Sequence, residues 1–335
     1  TPSGRPDIFL SSYFPRPGAL CVGQAPCTGQ KGRYVMRHFD LHCDTLSRCV
    51  KGKRSILQNE YDISVERGLI FDQWVQVFAA FIDDDHRGVK AYRHFLAQAE
   101  KLQQAFEESD KIVPYDKDNV REGVCNAILS VENGAALGGK LERIEEFARM
   151  GVRMLGLVWN GENELAGGVG SEIGLTGFGR EAVKELERNR IIIDVSHLNR
   201  AGFWELCEVA ERPFVATHSN CFEICPHLRN LDDLQIEEII RRKGLIGINF
   251  FPLFINGESD ASFQELRRHI RRIIALGGED CLAVGSDFDG AAMPARLTAI
   301  EKIPDWHQNL LKHFEPELVE KITFGNAQRF FQENL

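Results

Sequence analysis

Apolar positions along this chain fall into short runs, and amphipathic stretches separate them. From Met36 onward eight runs are β-branched or aliphatic enough to be strands: 37–41, 74–82, 125–131, 152–158, 191–195, 213–216, 245–249 and 281–285. Helical spacing is clearest at 89–106, 140–150, 178–189, 232–243 and 263–276. Between the fifth and sixth runs, Phe203, Leu206 and Val209 recur at the same spacing. Thr176 stands where an N-cap belongs, and Asn189 and Gly244 stand where helices should stop. The pattern after the first run is looser and predicts no firm helix. Two further helical segments close the C-terminus.

Strands that alternate with helices specify a parallel sheet. Eight of them predict an α/β fold of the (β/α)8 TIM-type barrel kind. The competing fold is an open doubly wound sheet. Its Gly-rich first turn is missing, because no G-x-G-x-x-G follows the first strand and no P-loop pattern occurs. In a barrel the loops after the strands build the mouth of the active site. The longest, around 111–119 and 161–174, follow the second and fourth strands.

The residues at those strand ends carry the candidate chemistry. The first run ends in His42-Cys43-Asp44, the third in Glu132 and the fourth in Trp159-Asn160. The fifth and sixth end in His197 and His218, and the eighth in Asp287-Phe288-Asp289. Period 2 places His42 and Asp44 on one face of an extended strand. Each residue has an ordinary reading when taken alone. Asp44 and Glu132 could be helix N-caps, Asp287 a turn former, and a single histidine a hydrogen-bonded bystander. Their recurrence at one rim favours a metal site. Imidazole and carboxylate suit zinc, and also manganese, iron or cobalt. Five groups exceed the needs of one catalytic zinc, whereas two ions bridged by a carboxylate use them all. No HExxH occurs, which excludes a helix-borne zinc protease.

Composition narrows the setting. The 335 residues are 43% hydrophobic with a formal net charge of -9, enough for one large core. We therefore expect a single domain over 36–335. The acidic balance, with a pI near 5.6, argues against a nucleic-acid partner. No apolar segment approaches the roughly 18–20 residues of a membrane span. Nine cysteines without a paired pattern suggest free thiols in a reducing, cytoplasmic setting. Residues 1–35 are rich in Pro, Gly and Ser and lack periodicity. They are expected to be a disordered, upstream or appended extension, with Met36 as the native start.

Seven segments then resemble the renal (membrane) dipeptidases, peptidase family M19, in family order. They are HCD at 42–44, SVENG at 130–134, GVRMLGLVWN at 151–160, IDVSH at 193–197, ATHSN at 216–220, HLRNLDD at 227–233 and GSDFDG at 285–290. The resemblance implies a distorted barrel holding two zinc ions, or other divalent metals, that hydrolyses dipeptides through a metal-bridging hydroxide. A D-residue at the C-terminal position is part of that expectation. His42 and Asp44 would hold one ion, His197 and His218 the other, and Glu132 both. Asp287 would relay a proton to the leaving amine. Arg229 would grip the substrate carboxylate, with Trp159 and Asn160 also at the substrate. Trp159 departs from family members that carry histidine there, which bears on substrate range. Two alternatives remain: another amidohydrolase-type reaction on β-lactams or N-acyl amino acids, and a catalytically silent, metal-stabilised binder of small ligands. Whether the chain forms a homodimer is left open.

Other features weigh less. The run at 83–86 reads as a solvated acidic turn. Asp289 should support the turn after Asp287, and His227 should either orient Arg229 or stand exposed. Phe222, Phe250, Phe251 and Phe254 read as packing or pocket wall.

Overall fold

The structure is a computed structural model that describes residues 35–335. The extension expected over residues 1–35 lies outside the described residues, apart from Val35. Nine strands form one parallel sheet: β1 (Arg37–Cys43), β2 (Gln73–Phe81), β3 (Ile112–Pro114), β4 (Cys125–Glu132), β5 (Val152–Gly156), β6 (Ile192–Asp194), β7 (Val215–Ala216), β8 (Leu245–Ile248) and β9 (Leu282–Val284). Eight close a ring in the order β1, β2, β4, β5, β6, β7, β8, β9, with β9 returning to β1. All eight expected strands are present, most trimmed by one or two residues where the chain leaves the sheet to build the mouth. β3 is the strand that the hydrophobic pattern did not show. It sits outside the ring, beside the first residues of β4, and three residues are too few to display a period.

The barrel strands are buried on both faces, which explains their near-continuous apolar runs. The inner face gathers Phe39, Leu41, Val75, Ile128, Met154 and Val215 onto Phe324 and Phe331. Those two phenylalanines belong to the last turns of chain, a π-helical turn at Lys321–Gly325 and the helix Asn326–Asn334, which plug the base. The outer face packs under helices including Gly88–Glu108, Gly177–Arg188 and Phe263–Ala275.

The start and stop signals hold with two corrections. The Thr176 hydroxyl accepts from the Gly179 N–H at 2.9 Å, as expected. A helix does follow β1, at Thr45–Gly52, where none was expected. The helix ending at Arg241 passes through a left-handed residue at Lys243 rather than Gly244. Gly244 is needed for a different reason: a Cβ there would collide with the carbonyl oxygen of Phe214. No helix among the described residues is long and apolar enough to cross a membrane.

Candidate metal centre and active site

A bulge in β1 aims the first pair of candidate ligands. Arg37–Asp40 pair one to one with Gln73–Gln76, after which Cys43 pairs with Phe78. Three steps on β1 thus match two on β2. Phe39 and Leu41 face the barrel interior, and the extra residue brings His42 and Asp44 to that face as well. Cys43 turns to the outer core. β4 needs no such device, since Ile128 and Glu132 share the inner face by alternation while Leu129 and Val131 face out. At β7 the chain carries Thr217-His218 close to its neighbours. Gly247 and Gly285 permit this, because a Cβ on either would collide with the Thr217 carbonyl.

These placements bring His42, Asp44, Glu132, His197, His218 and Asp287 together, each at most 8% exposed. Glu132 stands at the centre. Its Oε1 lies 2.8 Å from His197 Nε2 and 3.7 Å from His218 Nε2, and its Oε2 lies 3.5 Å from His42 Nε2. Asp44 Oδ2 is 3.2 Å from His42 Nε2, and the Nε2 atoms of His197 and His218 are 3.1 Å apart. Ligand atoms fall into three overlapping groups: His42, Asp44 and Glu132; Glu132, His197 and His218; His42, His218 and Asp287.

The chemistry of this set fits a cation. Asp44 Oδ1 is buried with no hydrogen-bond partner among the described residues. Burial and the nearby Asp44 push the Glu132 carboxyl up to about 8, and burial pushes Asp287 up to about 6. Burial opposes charge on His42, yet Glu132 and Asp44 outweigh it and hold that imidazole well above its usual range. Burial, then the charge of Arg229 or His42, keeps His197 and His218 well below theirs. Carboxylates crowded beside bare ring nitrogens are what a divalent ion accommodates. Asp44 occupies the N-cap position of the helix after β1 but makes no cap bond, so the capping alternative does not describe it.

Further buried groups fix these side chains. Asp194 accepts from the N–H and hydroxyl of Ser196 at 3.0 and 2.7 Å, and from the N–H and hydroxyl of Thr217 at 3.0 and 2.6 Å. Thr217 Oγ1 in turn lies 2.8 Å from His218 Nδ1. The carboxylate is the stronger acceptor for the threonine proton, so His218 carries its own proton on Nδ1 and presents a bare Nε2. Asp40 ties β1 to β2 and β9, accepting from Ser286 N–H (2.9 Å), Ser286 Oγ (2.5 Å) and Gln76 Nε2 (3.1 Å). Asn249 Nδ2 donates to Asp287 Oδ2 at 3.0 Å. The sequence pattern gave no role to Asp194, Asp40 or Asn249; the available signal was a polar side chain within or at the end of an apolar run.

The remaining candidates lie around this cluster. Arg229 is buried, with its guanidinium donating to the carbonyls of Ser196 and, at 3.3 Å, His218. Its Nε has no partner among the described residues, and burial lowers its pKa to about 10. The Arg229 backbone N–H donates to His227 Nδ1 at 3.1 Å, so His227 ties the turn that carries Arg229, while the guanidinium itself is held by the Ser196 and His218 carbonyls. Phe254 lies beneath the guanidinium, whereas Phe250 packs on Phe288 and Trp306. Trp159 meets Phe81 edge-on and lies 6.3 Å from the His197 ring. Asn160 Oδ1 is 3.0 Å from His197 Nδ1. Asp289 accepts from Thr45 Oγ1 at 2.6 Å and from the Asp62 N–H at 2.9 Å, the supporting role expected of it. Asp84 departs from the solvated turn: it accepts from Gly161 N–H (2.7 Å) and Asn133 Nδ2 (3.2 Å), tying the loops after β2, β4 and β5.

A family model for membrane dipeptidases, peptidase family M19, matches residues 34–334. The chain belongs to this family. A solved M19 dipeptidase, a metallopeptidase, is 26% identical and superposes with a TM-score of 0.84 over 90% of this chain and 99% of its own. A metallopeptidase of Rhodobacter sphaeroides, solved with a phosphinate mimic of the dipeptide L-Ala-D-Ala, shares the fold at 24% identity and a TM-score of 0.83, covering 90% of this chain and all of its own. An uncharacterised Klebsiella pneumoniae protein encoded 5' of pqqA is 34% identical over 64% of this chain and 84% of its own. A dipeptidase of Claviceps purpurea is 29% identical over 64% of this chain, which spans about half of that protein's length (52%). The M19 chain described here is a metallodipeptidase, a hydrolase with a metal cofactor and a peptide substrate.

Proposed function

We propose that this M19 enzyme is a binuclear zinc dipeptidase. One observation carries the reading: the two oxygens of Glu132 face different histidines, Oε2 toward His42 and Oε1 toward His197 and His218. A carboxylate placed so can bridge two ions. His42 and Asp44 would complete one site and His197 and His218 the other, all zinc-compatible donors. Two ions there would supply an acidic water and Lewis acidity toward the scissile carbonyl. The chain's own residues do the rest. Arg229, with its Nε uncommitted, suits the terminal carboxylate of a dipeptide. Asn249 steadies Asp287 through Oδ2, which leaves Oδ1 to carry a proton to the leaving amine. Trp159 stands beside His197 as a wall of the substrate space. The seven free cysteines among the described residues, none paired, suit a reducing compartment such as the cytoplasm.

The test combines metal analysis with a substrate panel. The purified protein should hold two zinc ions per chain and hydrolyse unblocked dipeptides, with L-Ala-D-Ala included because its mimic occupies the Rhodobacter neighbour. The same dipeptides amidated at the C-terminus should be poor substrates. One ion per chain would overturn the binuclear reading. Turnover of β-lactams or N-acyl amino acids with no dipeptide cleaved would overturn the substrate assignment.

A further inference from the structure

We propose that Asp84 is a positioning residue: it latches the loop after β5 to the loop after β2 and so fixes Trp159 against the substrate. The inference rests on the reading of Trp159 as a wall of the substrate space, but one arm of its test does not. β5 ends at Gly156, so the sheet itself does not place Trp159, three residues further on. The indole is only partly buried and meets Phe81, the last residue of β2, edge-on at 5.0 Å. One ring contact is a weak restraint on a side chain at an open mouth.

The stronger hold is on the backbone. Asp84 Oδ2 accepts from the Gly161 N–H at 2.7 Å, a charge-assisted bond two residues past Trp159. Arg87 adds a second tie from the same loop, its Nη2 donating to the Glu162 carbonyl at 2.6 Å. Asp84 is braced in turn. Its Oδ1 accepts from Asn133 Nδ2 at 3.2 Å, and that amide also donates to the Ile82 carbonyl at 2.9 Å. Asn163 Nδ2 reaches Asn133 Oδ1 at 2.8 Å, so the loops after β2, β4 and β5 meet on one asparagine. Gly161 lets the carboxylate come this close, since a Cβ there would stand 2.9 Å from Asp84 Oδ2. The Gly168 and Gly170 N–H groups donate to the carbonyls of Gly161 and Asn160 at 2.7 and 2.8 Å, folding the loop back on itself. The peptide that carries Trp159 is thus one stiff piece, and Asp84 is the charged acceptor that docks it on the loop after β2.

Two variants break the latch from opposite sides: Asp84→Ala removes the acceptor, and Gly161→Ala pushes it away. Asp84→Asn keeps one oxygen for the Gly161 N–H. The first readout is the ¹⁹F spectrum of metal-free protein labelled with fluorotryptophan, which has one signal for each of the four tryptophans. Trp159→Phe identifies the signal of interest. It should move toward the position of the free amino acid in Asp84→Ala and Gly161→Ala, and stay near the wild-type position in Asp84→Asn. The second readout is steady-state kinetics of the zinc-loaded enzymes on the best-cleaved dipeptide of the panel above. A wall binds substrate and transition state alike, so both alanine variants should raise KM about 10-fold with kcat and zinc content within about two-fold of wild type. Asp84→Asn should recover most of the KM. An unmoved Trp159 signal, or an unchanged KM, overturns the inference. So does a loss of kcat or of zinc with KM unchanged, which would make Asp84 a brace for Glu132 through Asn133. A wild type that cleaves no dipeptide while the variants show the expected ¹⁹F shifts would overturn the proposed function and leave the latch on Trp159 standing.

Discussion

β1 and the residue that follows it carry the same short pattern twice, His38-Phe39-Asp40 and His42-Cys43-Asp44, and the two copies have opposite fates. Both histidines are buried, His38 completely and His42 to within 2%. His38 faces away from the barrel interior, stacks on Phe71 at 4.8 Å and lies 5.5 Å from the ring of His307. Burial and then His307 hold its pKa well below the usual value. His42 faces two carboxylates that hold its pKa well above that value despite the same burial. Asp40 is spent on Ser286 and Gln76, whereas Asp44 keeps an oxygen without a partner. Spacing and burial are therefore shared, and the company of each ring decides its chemistry. The bulge after Asp40 decides the company.

The comparison breaks most visibly at Glu132. Glu132→Gln removes the shared carboxylate that distinguishes the His42 environment from that of His38. Hydrolysis should fall on the order of 10³-fold, with loss of at least one ion per chain. His38→Leu should leave kcat/KM within about two-fold, because that ring touches nothing in the mouth. Steady-state kinetics with metal analysis decides both, and similar losses in the two variants would erase the distinction.

A matched pair of substitutions sharpens it next. Asp44→Asn and Asp40→Asn make the same change in the two copies of the pattern. Asp44→Asn should weaken metal binding by about 100-fold and lower activity with it, while leaving the apo fold as stable as wild type. Asp40→Asn should do the reverse. It exchanges a carboxylate that accepts from four side-chain or backbone donors for an amide that brings donors of its own, at a loss of roughly 2–3 kcal/mol of stability. Denaturant titration beside zinc competition separates the outcomes. Equal stability loss in both variants would mean that Asp44 is structural.

How much of this was legible follows from which interactions are local. The apolar runs at 125–131 and 245–249 predict strands because alternation and burial act within a few residues, and a (β/α)8 ring then puts Glu132, His197 and His218 at one rim. The bulge in β1 was not legible, since it depends on register against β2, thirty-six residues away. Asp194 stayed hidden for a related reason: its worth appears only when Ser196 and Thr217, from different strand ends, meet it. The helix at Thr45–Gly52 was missed because it is eight residues long and buries only Thr45, Leu46 and Cys49, too few to repeat a helical period.

The smallest expected effect lies at the copy of the pattern without a site. Neither nitrogen of His38 or of His307 has a partner among the described residues, and burial lowers His307 to about 3. An unfolded histidine protonates near pH 6.5, so above that pH both states are neutral and the pair adds no pH dependence. As pH falls below 6.5 the unfolded chain takes up protons that the folded chain refuses, and stability declines until pH approaches 3. At pH 5 the gap of 1.5 pH units is worth about 2 kcal/mol for His307 alone. His307→Leu, close in volume and unable to titrate, should therefore gain about that much on wild type between pH 7.5 and pH 5. Urea titrations of both proteins in the same chelator measure it, with the metal centre removed from the comparison. A stability difference that stays constant across that range would mean that these rings find polar partners in solution, and that burial of a histidine in this wall carries no acid penalty.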